Sequence, residues 1–328
     1  MNQSQGDGVP GEFRKVLLLV IDGLRPDAIT PAVMPVLSGL IREGWSAADA
    51  VTVRPSVTVA ALTSLATGVS PERHGLVHPR LTSLGRVPAL APLPVALRRM
   101  GVATTVVAPV LGGAARWVTG ALLRLGGITR LLPAPPAPGH VIEGATDHLR
   151  GNPRPEFVVA YVNDTDIAGH AWGWMSAPYL QAAAMVDRGL TSLRAALAEP
   201  ETLVIVCADH GGGGVLHNDH DHPHPVNDRI PLFLLGKRVR CGATGVEPAQ
   251  LGIRRPCGSG EGLSPKRGPR REAFDAAMIG TASLTGRTVR LDDDVPQLGA
   301  RPTRPAVRLA VEDQPTADAG AGNTAAGA

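Results

Sequence analysis

Asp22, Asp166 with His170, and Asp209 with His210 each follow closely on a short apolar run, and a loop carrying His217, His220, His222 and His224 precedes another. Carboxylates and imidazoles in that mixture are ligands for divalent metals, zinc or manganese above all. Between the first and second of these positions stands Thr58, in the stretch RPSVTVAALTSLATGVSPERHG from Arg54 to Gly75. Pro55 and Ser56 favour non-helical backbone, Val57 to Ala66 is apolar enough for a buried helix, Gly68 stops it, and Pro71 prevents its continuation. Thr58 then lies in the first helical turn, where unpaired backbone N–H groups and the positive dipole end favour an anion or an alkoxide. A hydroxyl held there attacks phosphorus once a metal lowers its pKa. Taken alone, Thr58 reads first as an ordinary helix cap.

The elements that must position these groups alternate along the chain. Lys15–Ile21, Val102–Ala108, Phe157–Val162, Glu201–Ala208 and Arg229–Gly236 are short β-branched or Leu-rich runs, the pattern of strands buried on both faces. Met34–Glu43, Val57–Ala66, Pro94–Met100, Ala114–Leu125 and Val141–Arg150 read as helices. A longer one runs from Ser176, its N-cap, to about Ala198, with Val186, Leu190, Leu193 and Leu197 as an apolar stripe. Leu132–Gly139 (LPAPPAPG) reads as a Pro-rich connector. This alternation predicts an α/β fold, a mostly parallel central sheet with helices on both faces.

In such sheets functional groups gather at the carboxyl ends of strands. If the ends bearing Asp22, Asp166 and Asp209 meet at one edge, three Asp and three His surround the Thr58 hydroxyl, enough for two divalent metals. Each residue has a plain alternative. Asp22-Gly23 is a turn, Asp187 is a structural acid on the long helix, and a His-rich loop is solvated. Several independent strand-end placements do not share one such explanation.

Composition sets the remaining bounds. With 328 residues, 44% hydrophobic and 19% charged, the chain is globular with ample core. A net charge of +3 is too small to imply a nucleic-acid partner. The first apolar run is too short to span a bilayer and no signal-like segment precedes it, so a cytoplasmic location and no membrane partner are expected. Cys207, Cys241 and Cys257 form no disulfide framework, and Cys207 reads as a small core residue. Organisation follows as a flexible segment over 1–14, a catalytic domain over 15–240 with 76–155 as its substrate-side segment, a poorly patterned C-terminal part over 241–312 and a disordered tail over 313–328. Residues 273–312 add a helix and a short edge strand, while 251–271 carries neither period. Trp172, Trp174 and Tyr179 are further candidates for substrate walls. Oligomeric state is not legible.

Over residues 16–236 the chain resembles the alkaline phosphatase superfamily, in its type I phosphodiesterase/nucleotide pyrophosphatase branch. The matching pieces are VIDGLRPD around Asp22, P-x-x-T ending at Thr58, TG-x-x-P-x-x-HG from Thr67 to Gly75, D-x-x-x-H from Asp166 to His170, ADHG from Ala208 to Gly211, and a His before the IPLFLLG strand. Each is weak alone; the ordered set is specific. The resemblance implies two divalent metal ions, zinc or alternatively manganese. Asp166, His170 and His220 would hold one, and Asp22, Asp209, His210 and the Thr58 oxygen the other. Thr58 would then attack a phosphate diester or nucleotide pyrophosphate, the small-molecule partner, and water would cleave the phospho-threonine. His220 best matches the spacing to the strand at Pro231, with Pro225 between; the shorter spacing of related phosphomutases favours His224, and His222 stays open.

Two departures concern the site. Ala61 stands where the branch carries an Asn three residues after the nucleophile, and Pro79 stands near a second Asn. A hydrogen-bond donor to the transition state is thereby missing or comes from elsewhere, and one such donor is worth about 10²-fold or more in rate. A monoesterase, phosphonate hydrolase or phosphomutase on the same metal pair is the alternative enzyme, and a catalytically inactive metal-binding module the alternative class. A sulfatase fits less well, because no Cys or Ser followed by x-Pro-x-Arg occupies the nucleophile position.

Overall fold

The computed structural model describes residues 13–47, 50–77, 90–109, 120, 123–137 and 139–239, and the backbone of 242–244. Among them eight strands make one sheet: β1 (Lys15–Ile21), β2 (Trp45–Ala47), β3 (Ala103–Pro109), β4 (Arg130–Ala134), β5 (Glu156–Val162), β6 (Thr202–Cys207), β7 (Leu232–Leu235) and β8 (Gly242–Thr244). They lie side by side as β4-β3-β5-β1-β6-β7-β2-β8. All pair in parallel except β7, which runs against both β6 and β2. This is the expected mostly parallel α/β sheet. Its centre is β1, whose Val16–Ile21 run is buried throughout, because neighbours flank it and helices cover both faces.

The helices are α1 (Pro35–Ile41), α2 (Thr58–Thr67), α3 (Pro71–His74), α4 (Leu93–Arg99), α5 (His140–Gly151), α6 (Asp164–Trp172), α7 (Ala177–Gly189), α8 (Leu193–Leu197) and α9 (Pro225–Asp228). Gly68 ends α2 in the left-handed conformation, as its position predicts. Ser176 accepts a hydrogen bond from the Tyr179 N–H and caps α7. The long helix expected to reach Ala198 is interrupted by a 3-10 turn over Leu190–Ser192. Ser192 Oγ donates to the Gly189 carbonyl at 2.8 Å, a bond to the preceding turn that competes with the α-helical ladder. The apolar stripe survives the break, with Val186, Leu190 and Leu193 fully buried. Asp187 is structural, accepting from the N–H groups of Val36 and Leu37 at 2.9 and 2.8 Å and so capping α1 from outside.

Two short strands, β2 and β8, carried no readable pattern, and the first half of the supposed connector Leu132–Gly139 is strand β4. Pro133 is tolerated there because β4 pairs on one side only, with β3. Within the 76–155 segment, β3, β4, α4 and α5 build one edge of the sheet and its cover. Cys207 is buried in β6, where burial pushes its thiol up to about 12 and leaves it inert. Among the described residues no helix is long and apolar enough to cross a membrane. Most of the helix expected over 114–125, the readings for 251–271 and 273–312, the tail and Pro79 lie outside the described residues.

Candidate metal centre

Strands β5, β1 and β6 are adjacent and parallel, with Ile21 opposite Val162 and Val20 opposite Cys207. Their chains therefore leave the sheet at one edge. Asp22 follows β1 directly, Asp166 and His170 share one face of α6 just beyond β5, and Asp209 and His210 follow β6. Gly23 makes the sharp exit from β1 at φ 66°, and a Cβ there would lie 3.2 Å from the Asp166 Cα. Only glycine suits both the left-handed backbone and that approach.

The edge gathers two groups, Asp22 with Asp209 and His210, and Asp166 with His170 and His220; within each, one ligand atom per residue lies within 4.8 Å of the others. Each imidazole has its Nδ1 against a backbone carbonyl: His210 on Gly211 at 2.8 Å, His220 on Ser56 at 2.9 Å and His170 on Asn218 at 3.1 Å. A carbonyl only accepts, so Nδ1 carries the proton in all three rings. When neutral, as a bound cation requires, the rings direct an Nε2 lone pair into the cluster. Those Nε2 atoms face carboxylate oxygens, His210 at 3.2 Å from Asp22 Oδ1, His170 at 3.4 Å and His220 at 3.8 Å from Asp166 Oδ1. The His210 and His220 rings stack 3.8 Å apart and join the two groups. Thr58 Oγ1, in the first turn of α2, lies 3.1 Å from His210 Nε2.

The donor set fits two divalent cations. Asp22 Oδ1, Asp166 Oδ1 and Asp209 Oδ2 are buried without a hydrogen-bond partner. The other oxygens of two of these acids are anchored: Asp22 Oδ2 accepts from Tyr161, and Asp209 Oδ1 accepts from the N–H groups of Gly23 and His210 at 3.2 and 3.0 Å. Bare carboxylate oxygens opposite imidazole lone pairs repel one another unless a cation lies between them, and N,O donor sets of this kind suit zinc or manganese.

Without a cation, protons balance the charge. Burial, and then the Asp209 charge, push the Asp22 carboxyl up to about 8. Burial opposes charge on His210, but Asp209 and Asp22 outweigh it and push the ring up to about 10. The unfolded chain releases these protons near 3.8 and 6.5, so from there up to about 8 and about 10 the folded state binds more of them. Below about pH 7 His220, which burial keeps neutral down to about 4, offsets this excess. Stability of metal-free protein is therefore expected to fall as pH rises from about 7 to about 9, and metal-loaded protein to lack this fall. Thermal melts with and without chelator check it.

Of the three candidate loop histidines, His220 is the one brought to the cluster. His222 is half exposed and pairs with Asp219 at 3.3 Å, while His224 caps α9. Sequence reasoning missed the residue that braces this loop. Buried Asn227 donates to the His220 and His222 carbonyls at 3.1 and 2.8 Å, and its Oδ1 accepts from the Gly214 N–H at 3.1 Å. Asn227→Ala leaves these groups unpaired, costing about 3 kcal/mol at roughly 1 kcal/mol or more each, and weakens metal binding by His220. Chemical denaturation and metal titration of the variant read both effects.

Trp174 and Tyr179 are not exposed walls, which corrects the sequence reading. Trp174 is wedged between Gly169 and Gly212, where a Cβ would lie 2.6 and 2.1 Å from its ring. It meets His170 and His220 edge-on, and its Nε1 donates to the Gly23 carbonyl at 2.8 Å. The Tyr179 hydroxyl donates to the same carbonyl at 2.9 Å. Both apolar rings thus brace the ligands from below, and only Trp172 is exposed. A cleft of about 540 Å³ instead runs along the α2 face bearing Ala61 and Leu65, with Asp209 in its wall and Arg54, paired with Asp228, among its lining residues.

The model of the type I phosphodiesterase/nucleotide pyrophosphatase family matches residues 16–83 and 130–253, more than half of the chain. No curated protein matches it in sequence. Similar solved structures include an alkaline phosphatase superfamily protein from Vibrio parahaemolyticus, with a TM-score of 0.52 and 18% identity over 72% of this chain and 63% of that one. This chain thus spans less than two thirds of that protein. The C-terminal periplasmic domain of EcEptC from Escherichia coli, in complex with zinc, has a TM-score of 0.50 and 15% identity over 69% and 73% of the two chains. For the lipoteichoic acid synthase LtaP from Listeria monocytogenes the values are 0.50 and 13% over 74% and 71%. At these identities the likeness is one of fold. With its fold that of the alkaline phosphatase superfamily, the chain belongs to the type I phosphodiesterase/nucleotide pyrophosphatase family.

Proposed function

We propose that this protein is a two-metal hydrolase of phosphate diesters or nucleotide pyrophosphates that works through a phospho-threonine on Thr58. The observation that carries the reading is the ring of imidazole lone pairs and unpartnered carboxylate oxygens beside a hydroxyl at a helix start. Asp22, Asp209 and His210, with the Thr58 oxygen, would hold one ion, and Asp166, His170 and His220 the other. Bound divalent ions supply the positive charge that lowers the pKa of a neighbouring hydroxyl and neutralises charge building on phosphoryl oxygens.

The remaining roles belong to the chain. The first N–H groups of α2 have no acceptor within the helix and favour an anion beside Thr58. Thr58 Oγ forms a bond to phosphorus as the bond to the leaving oxygen breaks, and the hydroxyl proton ends on that oxygen. Water then cleaves the phospho-threonine and restores the hydroxyl. The cleft, which reaches the centre at Asp209, supports the space along Ala61 as the position of the rest of the substrate. Ala61 offers no side-chain donor there, so the family's usual help from an Asn is lacking at this position. We propose zinc as the ion, and a cytoplasmic setting, which the free, buried thiol of Cys207 fits.

Hydrolysis of bis-p-nitrophenyl phosphate beside p-nitrophenyl phosphate tests the reading, on zinc- or manganese-loaded protein with a chelated control. The diester is expected to turn over faster, and chelation to abolish both reactions. Preference for the monoester would replace this reading with the monoesterase one. Two tightly bound ions without turnover would make the protein a metal-binding module.

A further inference from the structure

We propose that Tyr161 is a positioning residue that holds Asp22 as a one-oxygen ligand and so sets metal affinity in the Asp22, Asp209 and His210 half of the centre. The proposal rests on the two-metal reading above and concerns a residue that reading leaves unused.

Strand register puts Tyr161 where it acts. It lies opposite Val20 in the β1–β5 pair, and Asp22, two residues further on, shares Val20's side of the sheet. A diagonal neighbour of this kind is within reach of an aromatic side chain. The Asp22 N–H still donates to the Val162 carbonyl at 2.8 Å, so the pairing holds as far as the ligand itself. The Tyr161 hydroxyl donates to Asp22 Oδ2. That leaves Oδ1, buried and without a hydrogen-bond partner, 3.2 Å from His210 Nε2. A carboxylate free to turn about its Cβ–Cγ bond would present either oxygen, or both; the phenol removes that choice.

The same segment holds the backbone of Asp22, because Thr165 Oγ1 donates to the Asp22 carbonyl. Asp166 is the next residue, so the strand and helix that carry a ligand of one half also orient a ligand of the other. In the sequence, FVVAYV is simply an apolar strand. Only the alternation of the strand, combined with its pairing to β1, aims the hydroxyl at Asp22.

Tyr161→Phe keeps the ring and deletes the bond. Outer partners of this kind change metal affinity by about 10- to 100-fold. Zinc titration against a chromophoric chelator is therefore expected to show one of two sites weakened by about that factor and the other unchanged. The visible spectrum of cobalt-substituted protein should change with it, since Asp22 is freed to bind through both oxygens. A merely structural tyrosine would leave the cobalt spectrum alone and shift only the melting temperature of metal-free protein. Wild-type zinc affinity at both sites with an unchanged cobalt spectrum in Tyr161→Phe would overturn the inference. Fewer than two ions on the wild-type chain would instead overturn the two-metal reading itself.

Discussion

Thr58→Ala is expected to lower kcat/KM on a phosphate diester by on the order of 10⁴-fold or more, the scale of deleting a nucleophile, while both ions stay bound. The fold has no stake in the hydroxyl. Val57 is the N-cap of α2, no side chain caps that end, and alanine is the best helix former at the next position. Three protein ligands would remain to the ion beside Thr58 (Asp22, Asp209 and His210), a sufficient set for an open catalytic site. The expected pattern is full metal content, unchanged melting and lost turnover. Thr58→Ser should restore part of the rate, because it returns an oxygen with one methyl fewer to restrain it. Steady-state kinetics beside metal analysis of the three proteins checks this.

Asp209→Asn should have a comparably large effect on rate by a different route, and should flatten the pH dependence of the metal-free fold. Oδ1 of Asp209 accepts two backbone N–H bonds, which an amide oxygen also makes. The bare Oδ2 becomes an amide nitrogen that cannot ligate a cation. Losing a direct ligand costs more than the roughly 100-fold affinity typical of an outer partner, so the ion should leave and turnover fall with it. Meanwhile the Asp209 charge, which raises the Asp22 carboxyl pKa, is gone. Burial, the larger cause, remains, so the Asp22 pKa moves only part of the way back toward 3.8. His210 loses the charge that most raises its own pKa, so the folded state holds fewer extra protons. Chelated Asp209→Asn should therefore lose less stability than chelated wild type as pH rises from about 7 to about 9, although it is nearly inactive. A variant that keeps its metal and, once chelated, loses as much stability over that pH range as wild type would contradict both halves of this expectation.

How far the sequence reached follows from where each element sits. Lys15–Ile21, Phe157–Val162 and Thr202–Cys207 are central and buried on both faces, so their composition alone marks them as strands and their ends as the site edge. The short strands β2 and β8 and the edge strand β4 bury less or run too briefly to leave a pattern. The reversed direction of β7 leaves no mark in composition at all. Ligand types were legible because carboxylates and imidazoles stand at strand ends. Their supports were not: Tyr161 and Trp174 look like core or wall, and Asn227 looks like an ordinary loop residue. Tyr161 and Trp174 are recruited by contacts between residues far apart in sequence, Asp22 with Tyr161 and Gly23 with Trp174, and Asn227 by bonds inside its own loop that no spacing rule marks. The inward His220 ring is held by its Nδ1 on the Ser56 carbonyl and by a loop that Asn227 braces, and spacing alone does not encode that.

The claim at the centre of this account is a covalent phosphoryl bond on Thr58, and acid quenching during turnover tests it most directly. Metal-loaded protein mixed with a diester substrate, quenched within the first turnovers, digested and read by mass spectrometry should yield the peptide containing Thr58 with a phosphoryl adduct on that residue. Thr58→Ala should yield none. An adduct on another side chain, or turnover with no adduct at any quench time, would contradict the account.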